Sequence, residues 1–101
     1  MTLTEFKATL SQSTPPSGLT QHLEAMWYAA NNDWDRAHTI VQDLNDATAA
    51  WVHAYLHREE GDRANAGYWY RRANRPMAEV SLEAEWAEIT GALLATSKNS
   101  P

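Results

Sequence analysis

Asp46-Ala-Thr-Ala-Ala-Trp-Val-His-Ala-Tyr-Leu-His-Arg-Glu-Glu-Gly-Asp62 is the stretch that decides the fold. Asp46 is a good N-cap, because its carboxylate can accept from the free backbone N–H groups of a first helical turn. Trp51, Val52, Tyr55 and Leu56 then recur with helical spacing, and Gly61 supplies the left-handed residue that commonly ends a helix. Asp62 caps a second helix, whose stripe is Ala66, Trp69, Tyr70 and Ala73, and Pro76 marks its end. Helix, tight polar break and helix make an antiparallel hairpin.

The same arrangement stands upstream. A helix from about Leu19 to Asn31 carries Leu23, Met26, Trp27 and Ala30 on one face, and Asn31-Asn-Asp33 breaks it. Asp33 caps a helix with Trp34, Ala37, Val41 and Leu44 on its stripe, ending near Asn45. Ala25, Asp33 and Ala37 align with Ala54, Asp62 and Ala66 at a constant offset of 29 residues. Small residues at Ala37 and Ala66 are where two helices must approach closely. At the N-terminus, Leu3, Phe6 and Leu10 form an apolar stripe, and Thr2 and Glu5 are spaced as a capping box. Ser11 to Gly18 holds two prolines and a glycine and cannot continue a helix. A last helix, about Leu82 to Ala95 with Ser81 as cap, aligns Leu82, Trp86, Ile89 and Leu93. Glu79, Glu83, Glu85 and Glu88 are expected on its solvated face. Residues 96–101 are expected to fray, leaving one domain over 1–95. Nothing alternates with period two for long enough to make a strand. The expected fold is all-α: two antiparallel helical hairpins with a short N-terminal and a C-terminal flanking helix.

Gly61, Ala66, Tyr70 and Ala73 have the spacing of the second helix in tetratricopeptide and Sel1-like repeats, and Asn32, Trp34, Ala37, Val41 and Leu44 share the frame. The chain thus resembles those families, which implies tetratricopeptide-like hairpins. The offset falls short of the about 34 residues of a tetratricopeptide repeat, and the first helix of each hairpin is out of register by about two positions. Trp51 to Asp62, with Asn65 to Ala73 and Arg75-Pro76, also resembles the signature of a small uncharacterised microbial protein family; that resemblance implies the fold and no activity.

A chain of 101 residues supports one modest core. Five Trp and four Tyr supply much of it, since each buried aromatic covers roughly 150–250 Å². A net charge of −5 argues against nucleic acid and against an anionic membrane surface as partners. Cysteine is absent, which removes disulfides and thiolate chemistry and suits a reducing compartment. With no visible targeting segment and no apolar run near the about 20 residues of a membrane span, the expected location is the cytoplasm.

His53 and His57, at i and i+4 on one helix, are the sharpest candidates for chemistry, because both imidazoles point the same way. Position 54 is alanine, so the pair is not a zinc-protease motif. A third ligand would have to come from His22, His38 or a carboxylate such as Glu60. The alternative is that these histidines cap aromatic rings or bond acids and backbone groups at a half-buried seam. Asn65, Tyr68, Arg72 and Arg75 form a second row, suited to a carboxylate or phosphate through Arg forks and a Tyr hydroxyl. The other reading of that row is a solvated face whose Arg stems cover aromatic rings.

No Gly-rich phosphate loop, nucleophile elbow or paired-acid arrangement is present, and neither a cofactor nor a metal is predicted. These features favour a protein-interaction module, with a protein partner or a second copy covering the surface. The alternative is a small ligand- or metal-binding protein, or an enzyme, using His53 and His57, with a small anionic ligand at the Arg row.

Overall fold

The computed structural model describes residues 1–98. Its helices are α1 (Leu3–Ala8), α2 (Gln21–Ala30), α3 (Trp34–Gln42), α4 (Ala47–Glu59), α5 (Arg63–Arg72) and α6 (Leu82–Lys98), with a 3-10 turn over Thr9–Ser11. No strand occurs among the described residues. α2 pairs with α3 and α4 with α5, and α6 packs against α2, α4 and α1. The expected pair of hairpins with flanking helices is the observed architecture.

The caps explain where the helices start. Thr2 and Glu5 form the complete capping box, Asp33, Asp46 and Asp62 accept from Arg36, Ala49 and Asn65 backbone N–H groups, and Ser81 Oγ accepts from Ala84 N at 3.0 Å. Thr20 caps α2 through Leu23 N, which moves its start from Leu19 to Gln21. The ends of α2, α4 and α5 repeat a single motif. Asn32, Gly61 and Asn74 have φ of 62°, 88° and 60°. The next residue in each case, Asp33, Asp62 or Arg75, donates its N–H to the carbonyl of Tyr28, His57 or Tyr70. In the first two copies that residue is also the cap of the following helix, so a single aspartate closes one helix and opens the next. The 29-residue offset is therefore a repeat of backbone geometry.

Core packing follows the alanines. Ala25, Ala37, Ala54 and Ala66 are all completely buried, as close helix approach requires. Phe6, Trp27, Trp51, Tyr55, Tyr70 and Trp86 fill the space around them. The indole N–H groups of Trp27, Trp34 and Trp86 donate to Thr9 Oγ1, the Leu56 carbonyl and the Met26 carbonyl, so these aromatics enter the interior with their polar atoms satisfied. α4 is the axis of the fold, with every residue from Ala49 to His57 buried.

Four further expectations change. α3 ends at Gln42, three residues early, because Asp43 forms its C-cap and Leu44 lies beyond the helix. α6 continues to Lys98, so 96–98 are helical, while the rest of the expected tail, 99–101, lies outside the described residues. Trp34 and Trp69 are only partly buried, and each lays a ring face on an imidazole. Glu85 is not on a solvated face. It is 1% exposed, accepting from Arg58 Nη1 at 2.9 Å and Tyr70 Oη at 2.6 Å, while Arg58 Nη2 donates to the Val80 carbonyl. This knot ties α4, α5 and the linker 73–81 to α6. Deleting one member of a buried charge pair leaves the other uncompensated. Glu85→Ala is expected to cost about 3–5 kcal/mol in urea unfolding, whereas Glu83→Ala, on the exposed side, should stay within about 0.5 kcal/mol of the parent.

Candidate functional site

α4 presents His53 and His57 one turn apart, and both are buried. α3 brings His38 to them from the other hairpin. His53 Nε2 and His38 Nε2 share a hydrogen bond of 3.0 Å, and one ring nitrogen from each of the three histidines lies within 4.8 Å of the others. His57 Nδ1 donates to Glu60 Oε1 at 2.7 Å. Because that bond occupies Nδ1, Nε2 is the nitrogen His57 has left to offer. Two indoles wall the cluster: Trp34 stacks on His38 with centroids 4.7 Å apart and planes 10° apart, and Trp69 stacks on His53 at 3.8 Å and 11°. His53 and His57 are themselves stacked at 4.9 Å.

The electrostatics favour neutral rings at His53 and His38. Burial, then the neighbouring His38, His57 and Arg72, pulls the pKa of His53 down to about 4. Burial and His57 lower His38 as well, against the opposing charges of Glu60 and Asp35. Two neutral imidazoles facing each other through Nε2 share one proton, so one donates and the other accepts.

Of the possible third partners named from the sequence, His38 and Glu60 both reach the pair. His22 does not join them: its Nε2 bonds both carboxylate oxygens of Asp46, at 2.9 and 3.0 Å. The Arg row is divided among separate partners. Asn65 Nδ2 donates to Asp62 Oδ2 at 2.8 Å. Arg72 Nη1 donates to Tyr68 Oη at 3.1 Å, and the Arg72 guanidinium lies over Trp69. Arg75 lies 3.4 Å from the Trp51 ring centroid. Arg72 thus lies over Trp69 and acts on His53 by its charge alone, and Arg75 belongs to another surface. Trp34 and Trp69 are the site residues that sequence reading missed as such; helical spacing marks an inward aromatic but not the ring it will stack on.

No protein-family model, curated protein or solved structure matches this chain. The imidazole cluster therefore carries the functional argument by its own chemistry.

A buried neutral histidine makes folding sensitive to acid. An unfolded histidine titrates near 6.5 and His53 in the fold near 4, so between these values the unfolded chain binds the extra proton. Stability is full above about pH 6.5 and falls as pH drops towards 4, by up to about 3 kcal/mol from this group. Urea midpoints measured from pH 7 to pH 4.5 should show that decline, and His53→Asn should flatten it.

Proposed function

We propose that this chain binds one divalent transition-metal ion through His38, His53 and His57. The observation that carries the reading is the convergence of three imidazole nitrogens, from two hairpins, within 4.8 Å. A tetrahedral zinc ion with Zn–N bonds of about 2.0–2.1 Å needs donor nitrogens about 3.4 Å apart. The 3.0 Å separation of His38 and His53 is already close to that. Imidazole donors suit zinc, copper, nickel and iron, and do not suit magnesium or calcium. Neutral rings are the form a metal requires. Glu60 supplies the outer carboxylate that commonly holds a ligating histidine in one tautomer. The reading departs from the expectation of no metal because His38, which lies on a different helix, completes a set that His53 and His57 alone do not make. The hairpins read as tetratricopeptide-like units, and the ion would clasp one to the other.

Metal-free protein titrated with Co²⁺ should develop visible d–d bands that saturate at one ion per chain and disappear on adding Zn²⁺. With zinc at about 100 times its dissociation constant, stability should rise by about 2.7 kcal/mol. His38→Asn, on the partly exposed ring, should fold and lose both effects. Glu60→Ala should weaken binding about 10–100-fold, and Glu60→Gln less. Cobalt spectra and affinity unaltered by His38→Asn would refute the assignment.

A second reading, a protein-interaction surface, is favoured by Tyr68, Met77 and Val80, which are 43%, 40% and 50% exposed. All three lie on α5 and the linker that follows it. Light scattering of the wild-type chain and of Tyr68→Ser/Met77→Ser tests self-association through this surface: the wild type should form dimers and the double variant should be monomeric.

A further inference from the structure

A cavity of about 330 Å³ lies where α1, α2, α4 and α6 converge, and none of its lining residues belongs to the imidazole cluster. Leu10, Ala29 and Ala30 form its apolar part, and Trp86 and Tyr55 give it aromatic walls. Glu59 and Glu83 place two carboxylates around it, against one Lys7 at the exposed rim.

Glu59 is the unusual member. Its Oε1 is buried without a hydrogen-bond partner among the described residues, and burial raises the pKa of its carboxyl group. A buried acceptor left unpaired is costly, and such a group calls for a missing donor. Glu59 is the last residue of α4 and Ala29 and Ala30 the last of α2, so the C-terminal ends of two helices add partial negative charge at the same place. Excess negative charge, an orphaned acceptor and aromatic faces together describe the complement of a cation with an apolar body.

We propose that this cleft binds a small primary amine, its ammonium donating to Glu59 and its hydrocarbon part lying against Trp86 and Tyr55. Each ammonium N–H that meets a carboxylate makes a charge-assisted bond stronger than water offers in the same enclosure. Lys7, on a flexible stem at the rim, is the competitor within the chain.

The test uses the full chain and phenethylamine as the probe, with 2-phenylethanol as its neutral counterpart, followed by calorimetry and by the indole N–H resonance of Trp86. Expected are saturable binding of the amine, a shifted Trp86 signal, and binding of the alcohol weaker by about tenfold or more. Glu59→Gln should lose the preference for amine over alcohol and, in the ligand-free chain, raise the melting temperature, because a half-buried charge with one unpaired oxygen is gone. Lys7→Met should tighten the amine. Equal binding of amine and alcohol, no saturable amine binding at millimolar concentration, or an amine preference that survives Glu59→Gln would overturn the proposal. A Lys7→Met variant that loses stability without gaining affinity would also overturn it, since Lys7 would then be the partner of Glu59. Should Glu59→Gln fail to fold, Glu59→Asp provides the second variant: a shortened acceptor should weaken the amine and leave the alcohol unchanged.

Discussion

A helix with no solvent face must find a partner for every polar side chain it carries, and α4 is such a helix. From Ala49 to His57 its residues are buried on all sides, yet among and just beyond them stand His53, Tyr55, His57, Arg58 and Glu59. Three of these positions draw a complement from the residues around them. His53 takes His38 from α3, His57 takes Glu60 from its own C-terminal turn, and Arg58 takes Glu85 from α6. Glu59 Oε1 is the atom left over. The polar groups at the two candidate sites are consequences of this one burial.

The alanines make that burial possible. Helices packed through larger side chains stand about 8–10 Å apart, and Ala25, Ala37, Ala54 and Ala66 keep contact surfaces small on both hairpins. Close approach brings the backbone of one helix within reach of the indoles of another, as when Trp34 Nε1 meets the Leu56 carbonyl at 2.6 Å and Trp86 Nε1 the Met26 carbonyl at 2.9 Å. Large rings then bridge helices whose small residues touch. This combination seats His38 flat on Trp34 and His53 flat on Trp69, with the two imidazoles meeting edge to face at 85°.

Sequence reading recovered what local chemistry determines. Asp33, Asp46, Asp62, Ser81 and the Thr2–Glu5 box cap as expected, because a cap needs only the few residues around it. The hairpins followed from these caps and from the 29-residue offset. What the sequence left open depends on how helices rotate about one another. Glu85 looked solvated from its charge and its place in a first turn, and only the packing of α6 on α4, with Tyr70 reaching in from α5, opposes it to Arg58 and Tyr70. His38 stood among several possible partners of His53 and His57, and choosing it requires the crossing of α3 over α4. The Arg row failed as a unit for the same reason: Arg75 follows the left-handed Asn74 beyond the end of α5, so helical spacing no longer applies to it.

The imidazole cluster has a thermodynamic character that separates it from the Glu85 knot. In the knot, Arg58 and Glu85 neutralise each other, and Tyr70 accompanies them on α5; the group is complete within the chain. In the cluster, three rings from two hairpins meet with opposite charge only at their edges, from Glu60 beside His57 and Asp35 near His38. Burial therefore favours neutrality at His38 and His53, and neutrality leaves lone pairs facing inward, with one shared proton between His38 and His53. An apolar trio of similar volume would avoid desolvating ring nitrogens altogether. A set of converging ring nitrogens, flanked by two stacked indoles and by a carboxylate, is also a set that a cation can enter once the Nε2 proton held between His38 and His53 is given up. The arrangement that is poorest as a self-contained core is thereby the one best prepared as a ligand set.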